Sequence, residues 1–408
     1  MTAMNAEQDT HPHAQDLAQS GRPLLKRARD GGKRHMLTYD VGVTDADVAA
    51  VADAGSGAAL ERPLGSALEP VPDLMTLEQL RGHLQTAIEI EHATIPTYLC
   101  ALYSIKDGTN TFAAQAIQGV VMEEMLHMLL ACNILNAIGG RPVIDHPEFI
   151  PEYPTYLPHS ADLFLVPLQK FDKDTIQVFL DIEKPAKRLA PPQPDHWDTI
   201  GQFYKSLKIA LVHLDRSTPG GIFNGDPARQ MQPHHYYGGG GKLVAVHCLH
   251  DAILAIDEIV GQGEGVNDTI IDSDSTLFGE DVEYAHYFRF NEIMCERRYL
   301  PTDQANEPPN GPPVEVDWDA AWNMQPNPKM ANYPAGSELH GKTLAFNRTY
   351  MTLLRSIHDA VNGDPPELMK AVPLMYDLKY KALELMVTPW KDGMTAGPSF
   401  EYVPPDAR

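Results

Sequence analysis

A long apolar run from Phe112 to Ile138 contains the stretch Met122-Glu123-Glu124-Met125-Leu126-His127. Apolar residues recur in this run at three- and four-residue steps, which predicts a helix with one buried stripe. Glu124 and His127 lie on that stripe, one helical turn apart. Burying a carboxylate and an imidazole against a core is costly, and in a helical bundle a bound metal ion compensates for that cost.

A preceding helix is predicted from its N-cap at Thr76 to about Ile105, and its buried stripe contains one charged residue, Glu91. A polar turn at 106–110 joins this helix to the next. Glu91 lies about fourteen residues before the turn and Glu124 about thirteen after it, so an antiparallel hairpin places them at one level.

Two later helices supply the rest of the predicted site. One is expected at about 242–265 and carries Glu264 on its buried stripe, with Glu258 and His250 as alternatives. The other is expected to begin near Gly279 and contains a second Glu-x-x-His, formed by Glu283 and His286. His92, beside Glu91, could support a ligand from behind.

This pattern predicts a dinuclear site in a four-helix bundle, because two Glu-x-x-His pairs and two further glutamates form such sites. Four carboxylates and two imidazoles suit iron, expected here as two ions, with manganese or zinc as alternatives. Hydrogen-bonded burial without a metal is the competing interpretation. The predicted ligands are Glu91, Glu124, His127, Glu264, Glu283 and His286.

The composition restricts the class of protein. The chain has 408 residues and a formal net charge of −23, which argues against nucleic acid or an anionic membrane as a partner. The four cysteines form no close pair, so a zinc ribbon or redox dithiol is not indicated. We find no apolar run suited to spanning a membrane and no signal peptide, and we expect a cytoplasmic protein.

Three regions are expected along the chain. Residues 1–70 are polar and predict a partly disordered N-terminal arm. Residues 71–300 predict the metal-binding bundle, interrupted at 141–241 by a long crossover that is rich in proline and aromatic residues. Within the crossover, the sequence leaves 175–182 open between a strand and a short helix. Residues 301–408 predict a connection and two packing helices.

Several blocks resemble a known family. The segments 84–99, with Glu-Ile-Glu-His-Ala-Thr-Ile-Pro, and 121–142, with Glu-Glu-Met-Leu-His and Gly-Gly-Arg-Pro, are similar to the first two helices of the ferritin-like domain of iminophenyl-pyruvate dimer synthase. The segments 261–265 and 285–290 resemble its later blocks. Such domains belong to enzymes that couple aromatic imines in violacein and rebeccamycin assembly, and we expect a stand-alone version here.

The resemblance and the residues together predict an all-α, ferritin-like four-helix bundle with a long crossover between its second and third helices and two extra C-terminal helices. The expected function is that of a metal-dependent oxidase or oxygenase of secondary metabolism, including oxidative imine coupling. Its expected partners are dioxygen or peroxide and a small aromatic or amino-acid-derived substrate. A non-enzymatic iron-binding protein and a metal-free interaction module are the alternatives, and a homo-oligomer is left open.

Overall fold

The computed structural model is built of helices joined by irregular segments. The described residues are 75–187, 189–236, 240–265, 269–279 and 282–404. The predicted N-terminal arm, residues 1–70, lies outside them.

The first two helices form the hairpin that the sequence predicts. Helix α1 spans Leu77–Ser104 and begins with a capping box in which Thr76 and Gln79 exchange hydrogen bonds. Helix α2 spans Thr111–Ala137, and the chain leaves it through Gly139, whose φ of +75° suits glycine. Both helices end within one residue of their predicted limits.

The described part of the crossover contains two α-helices. Helix α3 spans Lys173–Ile182 and α4 spans Ile200–Ser217. Asp172 and Thr199 cap them by accepting hydrogen bonds from backbone N–H groups of the first turn. The segment that the sequence left open between a strand and a short helix is therefore helical.

Helix α5 spans Leu249–Glu264, α6 is the single turn Asp274–Leu277, and α7 spans His286–Met294. The predicted starts of α5 and α7, near 242 and 279, were wrong. The Val246 N–H donates to the Gln230 side chain instead of to a helical carbonyl. Residues 283–285 pair with 270–272 through backbone hydrogen bonds, which prevents a helix before His286.

The α1–α2 hairpin occupies the middle of the structure. On one side, α5 and α7 pack against α2, α4 packs against α1 and α5, and α3 packs against α7 and α1. On the other side, α8, Glu338–Val361, and α9, Leu368–Met386, form a second hairpin in which α9 contacts α1 and α8 contacts α2. The fold is therefore all-α, with the α1–α2 hairpin at its centre and α3, α4, α5 and α7 packed along one side of it.

One expectation about membranes needs correction. Among the described helices, α2 is long and apolar enough to cross a membrane by length and composition. Its apolar window is 89% buried inside the protein, as in a core helix. The apolar run that the sequence shows therefore packs against the neighbouring helices.

Two glycines give a paired test of the packing. A Cβ at Gly225 would lie 1.8 Å from the Asn136 carbonyl oxygen, whereas one at Gly82 on α1 would contact nothing within 4 Å. Gly82→Ala should raise the free energy of unfolding by about 0.5–1 kcal/mol, because glycine weakens a helix interior. Gly225→Ala should lower it by about 1–3 kcal/mol or more through overpacking. Urea denaturation of both variants measures this, and equal effects would contradict the described chain path.

Candidate metal centre

Five buried side chains converge between α1, α2, α3 and α7. They form two groups of three, and in each group one potential ligand atom from every residue lies within 4.8 Å of those of the other two. Glu124 belongs to both groups. The five residues are Glu91 on α1, Glu124 and His127 on α2, Glu183 at the end of α3, and His286 at the start of α7.

The first group joins the two helices of the central hairpin. His127 Nδ1 lies 3.4 Å from Glu91 Oε2 and 3.8 Å from Glu124 Oε1. Glu124 and His127 face the same way because they are three residues apart on one helix. Glu91 meets them at the same level of the hairpin, as the residue counts from the turn predict.

The second group brings in the crossover. His286 Nδ1 lies 3.0 Å from Glu124 Oε1 and 3.4 Å from Glu183 Oε2. This nitrogen is fully buried and makes no hydrogen bond of acceptable geometry. The two imidazole rings stack at a centroid distance of 5.4 Å, and the Nδ1 atoms of both lie within 3.8 Å of Glu124 Oε1.

Each of the five side chains has a hydrogen-bond partner outside the two groups. The Tyr204 hydroxyl donates to Glu91, Thr94 donates to Glu124 Oε2 at 2.9 Å, and Tyr98 donates to Glu183 Oε1 at 2.5 Å. His127 Nε2 lies 2.7 Å from Gln262 Oε1, and His286 Nε2 lies 2.7 Å from Glu123 Oε2. Because the amide and carboxylate oxygens accept from Nε2–H, they leave each Nδ1 free to bind a metal.

A buried arginine, Arg289, contacts the carboxylate that is hydrogen-bonded to His286. Arg289 Nη1 donates to Glu123 Oε1 at 2.7 Å. Burial alone would raise the pKa of Glu123, but Arg289 and His286 hold it at about 2. Glu123 is therefore an anion that accepts from His286 across the physiological pH range.

Glu124 and His286 bind protons more tightly than the free side chains do when no metal is bound. Burial and then the nearby charge of Glu183 raise the pKa of Glu124 to about 7. Burial acts to lower the pKa of His286, but Glu183 and the contacts with Glu123 and Glu124 raise it well above its usual value. Metal binding at these atoms would displace protons.

Comparison with known proteins gives the same fold. The family signature described as ferritin-like matches residues 84–295, which is slightly more than half of the chain. The chain belongs to the ferritin-like family. A crystal structure of a ferritin-like protein from Caulobacter vibrioides superposes with a TM-score of 0.55 at 24% identity, covering 80% of this chain and 99% of that one.

A curated relative supports the predicted resemblance. Dichlorochromopyrrolate synthase from Lentzea aerocolonigenes is 25% identical over 328 residues, covering 70% of this chain. The chain matches only 29% of the length of that relative. The family predicted from the sequence is confirmed by these matches.

Four of the six predicted ligands meet in this ferritin-like bundle: Glu91, Glu124, His127 and His286. Glu264 lies beside them without joining either group, and its Oε1 accepts from the Gly201 N–H at 2.9 Å. Glu283 lies elsewhere: its side chain is 51% exposed and forms an ion pair with Arg289. It precedes α7, so the second Glu-x-x-His does not occupy one helical face.

The alternative residues also lie outside the two groups. His92 is bonded to the Tyr350 hydroxyl at 2.6 Å, and burial lowers its pKa to about 3. Glu258 is buried and accepts from Ser273 Oγ at 2.8 Å. His250 is exposed on the first turn of α5.

Glu183 is the functional candidate that the sequence interpretation missed. It follows Ile176, Phe179 and Leu180 at helical spacing, and all four side chains are buried. The rule that selected Glu124, a carboxylate on an apolar stripe, also selects Glu183 once residues 173–182 are assigned to a helix. The open choice between strand and helix concealed it.

A third group of potential ligands lies nearer the surface. His83 on α1 meets His159 and Asp195 of the crossover, with 2.5 Å between His159 Nδ1 and Asp195 Oδ1. The side chains of His159 and Asp195 are about half exposed, at 50% and 48%. Solvent screens such a pair, so this group ties the crossover to α1 weakly.

The metal-free protein should lose stability as the pH rises from about 7 to 9. Burial and then Asp274 raise the pKa of Glu258 to about 9, and that of His286 is also raised. Both groups bind protons more tightly in the folded protein, so their stabilisation is lost as the pH approaches their folded pKa values. Urea unfolding with a chelator should show a decrease on the order of 1–3 kcal/mol. Glu258→Gln should reduce this dependence, and stability that increases with pH would contradict the assignment.

Proposed function

We propose that this protein is a dinuclear iron oxidase or oxygenase of secondary metabolism that acts on a small aromatic or amino-acid-derived substrate. One observation carries the proposal: two ligand groups share Glu124, and each contains a histidine whose Nδ1 faces inward. Manganese and zinc remain the alternative metals.

The donor atoms have the spacing that a metal requires. Two atoms bound to one ion at about 2.1 Å each must lie within about 4.2 Å of each other. The four distances from the Nδ1 atoms of His127 and His286 to the neighbouring carboxylate oxygens range from 3.0 to 3.8 Å. Three carboxylates and two imidazoles, with no thiolate, favour iron or manganese. His286 Nδ1 has no hydrogen-bond partner, so its lone pair could bind a metal ion.

The side chains around the site would hold the metal ligands in position. Glu91 and His127 would hold one ion, Glu183 and His286 the other, and Glu124 would contact both. Tyr204, Thr94 and Tyr98 hold the three carboxylates in place. A bound pair of iron ions would supply redox chemistry with dioxygen or peroxide.

The shape of the chamber restricts how a substrate could approach. The space beside Glu91, Glu124, His127 and Glu183 has a volume of about 20 Å³, which is too small for an aromatic molecule. Ile200, Gly201, Gly263 and Glu264 form part of the rest of its wall. An aromatic substrate would therefore react from outside this wall or after Glu264 moves.

The substrate class is supported by the relative that is named as a dichlorochromopyrrolate synthase. Oxidative coupling of aromatic imines is the specific reaction that we propose. The small chamber favours one alternative, a non-enzymatic iron-binding protein, because it admits ions and small oxidants without admitting a substrate.

Metal content distinguishes the observed arrangement from the one expected from sequence alone. Glu183→Gln should lower the iron content of protein purified from iron-replete cells from about two ions to one or fewer, because it removes a ligand. Glu283→Gln is the matched control and should retain the wild-type content. Atomic absorption measures both. If Glu283→Gln loses iron and Glu183→Gln retains it, Glu283 and not Glu183 is the metal ligand. If the wild-type protein contains no metal, the enzyme proposal is refuted.

Turnover is tested separately with the iron-loaded protein. Aromatic 2-oxo acids mixed with ammonium form imines in solution, and the protein should increase dioxygen uptake and yield coupled products detectable by mass spectrometry. Glu124→Gln should reduce the rate at least about 100-fold, because it alters both halves of the centre. Iron binding with no product from any aromatic 2-oxo acid would favour the binding-only alternative.

A further inference from the structure

A second cavity lies on the opposite side of the central hairpin. It has a volume of about 370 Å³ and is lined by α1, α2, α8 and α9, by the turn at 105–109 and by Phe400. The metal centre lies on the other side, towards α3 and α7. The cavity shares no lining residue with the chamber at the metal centre.

The wall of the cavity is mainly apolar and adaptable. Met122, Met125 and Met128 of α2 and Met375 of α9 line it together with leucine and isoleucine side chains. Polar residues complete the lining at the turn between α1 and α2 and on α9, among them Lys106, Asp107 and Lys379. Methionine side chains adjust their shape and make favourable contacts with aromatic rings. A cavity of this volume is large enough for a small organic molecule.

A buried histidine, His92, lies on the wall of the cavity. His92 is 2% exposed, lines the cavity, and is bonded through Nε2 to the Tyr350 hydroxyl, which lines it too. His92 Nδ1 is buried and has no hydrogen-bond partner. A buried nitrogen without a partner is costly, and a ligand that bonds to it would remove that cost.

We infer that this cavity binds an uncharged aromatic molecule bearing one hydroxyl or N–H group, which donates to His92 Nδ1. This binding mode uses the His92 tautomer in which Nε2–H donates to the Tyr350 hydroxyl, so that the Nδ1 lone pair accepts from the ligand. The methionine-rich wall holds the ring. This inference is independent of the proposed oxidase function, because no predicted ligand lines the cavity.

The test uses 2-naphthol and 2-methoxynaphthalene, two fluorescent molecules of similar shape that differ in the hydroxyl donor. The full chain should bind 2-naphthol saturably and at least about fivefold more tightly than its methyl ether, the difference expected for one hydrogen bond. His92→Phe should abolish that difference by weakening 2-naphthol alone. Equal binding of the two probes by wild-type protein would overturn the role of His92.

Two alanines on α2 provide a matched control for the location. Ala114 lines the cavity and Ala116 does not, although both are half-buried. Ala114→Trp should weaken 2-naphthol binding at least about tenfold by filling the cavity, whereas Ala116→Trp should leave it within about twofold. Both variants should retain the wild-type metal content, which separates this site from the metal centre.

The remaining outcomes contradict the inference. Equal 2-naphthol affinity in Ala114→Trp and wild-type protein would place the probe elsewhere. If another part of this chain or a second copy fills the cavity, wild-type protein will show no saturable binding, and that result would also overturn the proposal.

Discussion

Three carboxylates, Glu91, Glu124 and Glu183, are buried around two histidines, and no lysine or arginine among the described residues forms an ion pair with any of the three. Such an arrangement is unstable unless protons or metal ions neutralise it. The surrounding structure is consistent with that requirement. Hydroxyl groups stabilise the carboxylates, Gln262 and Glu123 orient the histidines, and Arg289 neutralises Glu123.

The central hairpin was predictable because its signals are local. The Thr76 capping box, the apolar stripes and the glycine after α2 fix both helices, and the count from the turn places Glu91 opposite Glu124. The starts of α5 and α7 were not predictable in this way. Long-range pairing of 283–285 with 270–272 overrides the helical pattern there, and it takes Glu283 out of the site.

The site was predictable to the extent that each ligand lay on a recognisable helix. Glu183 did not meet that condition, because a ten-residue helix inside a proline-rich crossover carries a weak periodic signal. Its position relative to His286 depends on α3 packing against α7, which no local pattern encodes. The crossover therefore does more than cover the bundle, because it supplies the Glu183 carboxylate to the candidate site.

The two histidines are held by different partners, a neutral amide behind His127 and an anionic carboxylate behind His286. A negatively charged acceptor makes an imidazole more basic and a stronger electron donor than an amide does. The two halves of the centre are therefore chemically unequal, although they share Glu124. Two identical ions bound there would therefore differ in reduction potential, because the histidine beside one of them is the stronger electron donor.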